Sequence, residues 1–193
     1  MPNKYILAIN YKVKTFYSGL FFLYQKIKHP SSSFGKIIRK KRFIFDVSGS
    51  GYKIQLGNVN FREDCMIRVR QSGKLTLENN ISFNRGCSLN CLNSIHIKEN
   101  CIFGENVKLY DHDHRFNNKE LLISQQGYSL GNIEIGSNCW FGSNVVILKN
   151  VTIGDNVVVG ANCVISKDIP SDSIVRNANA IEIVPIISKN EKK

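Results

Sequence analysis

The sequence predicts a mainly β fold, a parallel β-helix, and three regularities between Ile135 and Pro170 carry that expectation. Broken into sixes, this stretch opens every unit with an aliphatic or aromatic residue: Ile135, Phe141, Ile147, Ile153, Val159 and Ile165. The fourth place holds Asn138, Asn144, Asn150, Asn156, Asn162 and Asp168, residues that tolerate left-handed backbone and bend the chain through bonds to their own main chain. The fifth place is small or β-branched (Cys139, Val145, Val151, Val157, Cys163, Ile169), which suits a second inward side chain in a narrow interior. A helical period of 3.6 would not align these places, and a two-residue alternation would not return Asn at every fourth one. Three such units close a triangular coil of about 18 residues, and stacked coils pair as parallel strands about 4.8 Å apart.

Taken in order, residues 1–45 form a basic, aromatic segment expected to be helical. It is rich in Phe16, Tyr17, Leu20, Phe21, Phe22, Leu23, Tyr24 and Ile27, with lysines at its flanks. Its longest uncharged run, Thr15 to Gln25, is too short to span a bilayer. Two readings stand for it: a helical cap over the open first coil, or a surface anchor on anionic lipid. KIIRKKRF at 36–43 reads as a solvated charge run, and strand-like sequence begins near Phe43. The β-helix domain is expected over 46–187. Its first hexads, at Phe61, Ile67, Leu77, Phe83 and Leu89, are irregular, and the phase slips by two residues between Ile95 and Ile97 before Phe103 and Leu109 restore it. The beat is lost again after Leu109. An inserted loop is expected over 115–128, with Ser129 to Glu134 as a hexad re-entering the coil. Residues 188–193 read as a disordered tail.

The 193 residues, 42% of them hydrophobic, suffice for one sizeable domain. The net charge of +11 is unevenly placed: residues 1–53 hold 11 Lys/Arg against the single acid Asp46. The near-neutral remainder offers no basic groove or aromatic platform for nucleic acid. Cys65, Cys87, Cys101, Cys139 and Cys163 fall on fifth places and read as small core residues. Without zinc-finger spacing or a secretory leader, reduced thiols in a cytoplasmic protein are expected.

The chemistry concentrates in LYDHDHRF, at the start of the loop. On a strand, His112 and His114 share one face and Asp111 and Asp113 the other, so the two histidines compete for one site. A histidine with near-neutral pKa can take a proton from an attacking hydroxyl or amine, and a neighbouring carboxylate can hold its tautomer. Trp140, at a sixth place, should point outward, where an exposed indole covers a sugar or a partner. Gly142, Gly160 and Ala161 keep one wall of the coils low, although glycine at these places is also ordinary corner chemistry. Lys167 and Arg176 are cations able to meet phosphates. A metal site would need His96 as a third histidine, and it lies in the phase-shifted SIHIK strand. No metal is expected.

These motifs, LYDHDHRF and then CWFGSNVVILKNVTIGDNVVVGANCVISKDIP, resemble the hexapeptide-repeat acyltransferases, and within them the acetyl-CoA-dependent O-acetyltransferases of sugars and of capsular or exopolysaccharides, over roughly residues 55–180. The resemblance implies a left-handed coil, against the usual crossover rule, and a homotrimer with sites between subunits. It implies acetyl transfer from acetyl-CoA to a saccharide hydroxyl without a covalent enzyme intermediate. By the resemblance His114 is the general base, with His112 as its alternative, and Trp140 walls the acceptor site. Asn84, Asp111 and Asp113 stand on the acceptor side. Gly142 and Ser143 lie where backbone N–H groups approach the thioester, with Gly160, Ala161, Lys167 and Arg176 along the coenzyme A. After Pro170 the chain departs from its relatives, with Arg176-Asn177-Ala178-Asn179-Ala180 where many have Gly and Pro. The alternatives are an N-acetyltransferase of an amino sugar and a non-catalytic solenoid scaffold. The basic N-terminal segment adds an expectation of weak association with the inner face of an anionic membrane.

Overall fold

The computed structural model describes residues 18–177, and these form a parallel β-helix of three faces. The first face stacks six strands, the second seven and the third six, each paired in parallel with the strand one coil away. The sixfold places do what the pattern requires. Ile135, Phe141, Ile147, Ile153, Val159 and Ile165 are all buried, as are the fifth-place Cys139, Val145, Val151, Val157, Cys163 and Ile169. Asn138, Asn144, Asn150, Asn156 and Asn162 turn the corners at φ between 57° and 61°, and their amides form ladders: Asn138 donates to Asn156 at 2.9 Å and Asn144 to Asn162 at 3.1 Å. Asp168 breaks the rule. It has no left-handed backbone; its carboxylate accepts from the Thr152 N–H at 2.7 Å, and Asp172 takes the corner at φ 59°. The last coil is shorter, because Ile169 bridges to Ile153 only sixteen residues back.

The core is a column of side chains inside the triangle. Phe61, Phe83, Phe103 and Phe141 stack face to face with centroids 5.0, 4.5 and 4.7 Å apart. All six cysteines are free and buried, so each serves as a small apolar filler. In the last coils Ile135 lies beside Ile153 and Ile147 beside Ile165, eighteen residues later. In the early coils Phe61 lies beside Phe83, twenty-two later. The extra residues sit at the edge between the third and first faces, where Ser48 to Tyr52 and Arg70 to Gly73 make wide corners. That edge is therefore the irregular one, and the largest insertion leaves from it.

The solenoid starts earlier than the boundary expected at 45/46. Strands Ser33–Phe34, Ile37–Arg39 and Ile44–Val47 already pair with Lys53–Leu56, Val59–Phe61 and Met66–Val69 as a complete first coil. The charge run at 36–43 is thus not simply solvated, since Ile37 points into the core and the Arg39 guanidinium lies 4.1 Å from the centre of the Phe21 ring. A helix through residues 18–28 covers the open end. Phe22 is buried against Phe34, Phe43 and Phe45, which is the arrangement expected of a cap. The remainder of the N-terminal segment and the tail expected at 188–193 lie outside the described residues, within which no helix is long and apolar enough to cross a membrane.

Candidate active site

The insertion is a β-hairpin, larger than the loop expected at 115–128. His112–His114 pairs antiparallel with Tyr128–Leu130: His112 opposite Leu130, Asp113 opposite Ser129, His114 opposite Tyr128. The Gly131 N–H donates to the Asp111 carbonyl at 2.7 Å and the Arg115 N–H to the Gly127 carbonyl at 3.0 Å, extending the ladder at both ends. Ser129 and Leu130 consequently belong to the hairpin, and the coil resumes only at Asn132. An alternating strand that no longer has a coil above or below it satisfies its backbone by folding on itself.

Asp111 anchors the root of this arm. It is completely buried, and its carboxylate accepts the Leu92 N–H at 2.9 and 3.0 Å on its two oxygens and the Asn93 N–H at 2.7 Å. The same carboxylate lies 2.8 Å from His112 Nδ1, so an imidazole N–H there fixes the tautomer and leaves Nε2 as the free base. Burial, and next the Asp111 charge, push the neighbouring Cys91 thiol up, so it stays protonated and inert. Asp113 turns to the other side of the arm and pairs with Lys149 at 3.3 Å, whose ammonium also reaches Ser129 Oγ at 2.6 Å. His114 is exposed, and its ring centre lies 4.6 Å from that of Tyr128.

Two surface cavities flank the hairpin. One, about 400 Å³, is walled by Asp113, His114, Phe116, Ser129 and Lys149. The other, about 520 Å³, runs down the early coils past Tyr110, His112, His114 and Tyr128. His114 is the single residue common to both.

The remaining sequence-derived site residues gather elsewhere. Phe83, Phe103, Phe141 and Val159 are neighbours in register on the second face. The residues that follow them, Asn84, Gly104, Gly142 and Gly160, therefore stack along the edge between the second and third faces. Ser143 and Ala161 lie there too, and Arg176 packs above Gly160. Trp140 stands beside this edge, about half exposed (54%), in an outward apolar column with Ile102 and Ile174. Lys167 is at the hairpin's edge instead, one eighteen-residue coil beyond Lys149. Gly104 lies in the coil below Gly142, and eight residues at about 3.3 Å each separate Gly104 from His112, so the two groups sit up to about 25 Å apart across the third face. The sequence-derived site residues thus fall into two groups on two edges of the solenoid.

Gly142 has a structural cause of its own. A Cβ there would lie 2.6 Å from the Ala161 nitrogen, and its N–H is already donated to the Val159 carbonyl at 2.7 Å. That N–H cannot also serve an oxyanion, which corrects the role expected for it; of the pair, only Ser143 keeps its N–H out of the ladder among the described residues. His96 sits on the first face between two carboxylates, 3.0 Å from both Glu78 and Glu134, on a different face from the hairpin cavities. Sequence reasoning passed over Tyr128, which only the antiparallel pairing of the hairpin sets opposite His114, and Lys149, which reaches the arm through Asp113 and Ser129; it also passed over Arg68 and Arg70, which the register of the early coils with their wide corners brings below Tyr110.

Residues 132–167 match the family model described as bacterial transferase hexapeptide (six repeats). No curated protein matches the chain. Among solved structures it is similar to the N-acyltransferase AntD from Bacillus cereus, at 16% identity over 78% of this chain and 81% of that one, with a TM-score of 0.58. It is also similar to a maltose O-acetyltransferase from Clostridium difficile 630, at 26% identity over 73% of this chain, with a TM-score of 0.47. A hexapeptide-repeat-containing acetyltransferase from Vibrio cholerae O1 biovar eltor shares 20% identity over 75% of this chain and 64% of that one, with a TM-score of 0.49. The chain spans 64% of the length of the maltose enzyme it matches.

Proposed function

We propose that this chain, a solenoid built on the bacterial transferase hexapeptide repeat, is an acetyl-CoA-dependent O-acetyltransferase acting on a saccharide hydroxyl. The observation that carries the reading is that His114, on the first strand of the hairpin, is the one residue lining both cavities. A two-substrate transfer needs one base reached by the acceptor from one side and facing the donor on the other. The imidazole takes the hydroxyl proton as the oxygen attacks the acetyl carbonyl. The tetrahedral intermediate collapses with loss of the C–S bond, and the proton passes from the imidazolium to the departing thiolate. The Ser143 N–H is the oxyanion donor of this scheme, and Lys149 and Lys167 form the cationic strip for the phosphates. A second reading, His112 as the base, is favoured by its 2.8 Å contact with buried Asp111.

The reading includes a homotrimer. The half-sites occupy opposite edges of the third face, so a second copy placing its Trp140 edge against this hairpin completes the site. Two exposed apolar regions support that docking: the Ile102, Trp140, Ile174 column, and Phe116, Leu121, Leu122 and Ile123 at the arm's tip. Sedimentation at micromolar concentration should show three times 21.9 kDa; a lone 21.9 kDa species contradicts it. The capping helix leaves Leu23, Tyr24 and Ile27 exposed beside Lys26 and Lys28, which supports weak docking on an anionic membrane. Flotation with anionic vesicles, lost on Leu23→Glu plus Ile27→Glu, is the expected result, and no flotation of the parent protein leaves the helix as a cap.

Binding is tested first by thermal shift. Acetyl-CoA at about 100 times its Kd stabilises a native state by about 2.7 kcal/mol, roughly 5–10 °C at this chain length. No shift at millimolar acetyl-CoA returns the chain to a scaffold role. Mass spectrometry of saccharides incubated with protein and acetyl-CoA then reads the added acetyl group, and its loss in mild base separates O- from N-acetylation.

A further inference from the structure

The larger cavity has a charged floor that the transfer chemistry does not use. On the third face Asp46, Arg68, Asn90 and Tyr110 are partners in register, one per coil. With coils about 4.8 Å apart, Arg68 lies about 10 Å below Tyr110, and the histidines continue from Tyr110 into the hairpin. Arg68 and Arg70 both line the cavity, and no carboxylate lines it. Asp46 clamps them from the first coil. Arg70 gives both terminal nitrogens to it, one to Oδ1 at 2.7 Å, and the same nitrogen also reaches Ser48 Oγ at 2.8 Å. Arg68 gives only Nε, to Oδ2 at 3.1 Å. The terminal nitrogens of Arg68 have no partner among the described residues, although two guanidiniums share one carboxylate. Asp111 is turned away into its backbone bonds and Asp113 toward Lys149, so neither offsets this charge inside the cavity.

Resting on the acetyl-transfer reading above, we propose that the acceptor is an anionic saccharide, its phosphate or carboxylate held by Arg68 on the floor of the cavity whose other end carries the histidines. The fork of two unshared N–H groups matches two anionic oxygens, and Asp46 holds the guanidinium in place so that little side-chain freedom is lost on binding. Asn90, whose amide is pinned to the Leu109 carbonyl at 3.3 Å, forms the wall between the two ends.

Calorimetric titration of the full-length protein at low salt tests this with methyl α-glucoside, glucose 1-phosphate and glucuronate, and with the galactose counterparts of each. Anionic ligands should bind about tenfold or more tightly than the neutral glycoside, the weight of one charge-assisted hydrogen bond. Arg68→Gln should abolish that preference and Arg68→Lys should retain part of it, while Arg70 keeps Asp46 paired and the coil folded. Arg85→Gln, at a corner ion pair with Asp64 outside the cavity, should change nothing. The better ligand of the phosphate and uronate arms identifies the anion. Equal binding of neutral and anionic sugars, no sugar binding at all, an unaffected Arg68→Gln, or an equal loss in Arg85→Gln overturns the proposal. Acetyl-CoA is titrated into the same samples: anion selectivity without acetyl-CoA binding sinks the transfer reading and leaves the anion site standing.

Discussion

Replacing Asp111 by Ala is the perturbation whose cost the structure fixes most closely. The wild-type carboxylate is wholly buried and accepts the N–H groups of Leu92 and Asn93, while His112 Nδ1 lies 2.8 Å away. Alanine leaves two backbone donors without an acceptor at the foot of the hairpin, and each orphaned buried donor costs about 1–3 kcal/mol. With the His112 contact also gone, the loss is about 3–5 kcal/mol, which at this chain length lowers Tm by roughly 6–20 °C. Asp111→Asn keeps one acceptor oxygen but turns an N–H₂ group toward another N–H, so it should be intermediate and not benign. Scanning calorimetry measures both, and hydrogen exchange at the Leu92 and Asn93 amides should accelerate first if the damage starts at the hairpin root. A Tm for Asp111→Ala within 2 °C of the parent, with those amides still protected, would refute the anchoring argument.

Phe103→Ala removes the ring stacked between Phe83 and Phe141 and should cost about 3–5 kcal/mol by calorimetry; Phe103→Leu should cost clearly less, and equal losses contradict a stacked column. Gly142→Ala should destabilise the unliganded protein by about 1–3 kcal/mol, because its Cβ meets the Ala161 nitrogen at 2.6 Å; a normal Tm with impaired acetyl-CoA binding would instead make this glycine a ligand contact. Asp64 is held down to about 2 by hydrogen bonding to Arg42, with Arg85 adding to it. A depressed carboxyl pKa gives stability present above the ordinary carboxylate range and lost as pH falls through about 2. NMR titration should find that low value and see it rise in Arg42→Ala, with little change in Tm, since the pair is exposed.

The regular coils were legible because in them local and global demands coincide. Asn at 138, 144, 150, 156 and 162 sits where only a tolerant residue can take positive φ, and Ile135 or Val145 sits where only an apolar one fits. The early coils were not, because their wide corners at Ser48 to Tyr52 and Arg70 to Gly73 move the register from eighteen to about twenty-two residues. A six-residue ruler then cannot place Arg68 beside Asn90 and Tyr110. The LYDHDHRF stretch stood out by composition, yet its partition was hidden. Period-two alternation put both aspartates on the face away from the histidines, whereas Asp111 precedes the strand, turns inward and meets His112. Ser129 and Leu130 looked like a hexad because an outgoing hairpin strand and a coil strand share the same alternation; the antiparallel partner decides between them, and that partner is a tertiary fact.

The central claim is acetyl transfer with His114 between donor and acceptor, and one comparison tests it most directly. Acetyl transfer to the best saccharide is measured for the parent protein, His114→Ala and His112→Ala, with acetyl-CoA affinity and Tm determined for each. The expected result is a loss of at least about 100-fold in kcat for His114→Ala, with acetyl-CoA affinity and Tm retained, and a smaller loss for His112→Ala. Undiminished transfer by His114→Ala, or loss confined to His112→Ala, contradicts the assignment and moves the base to the histidine that Asp111 holds.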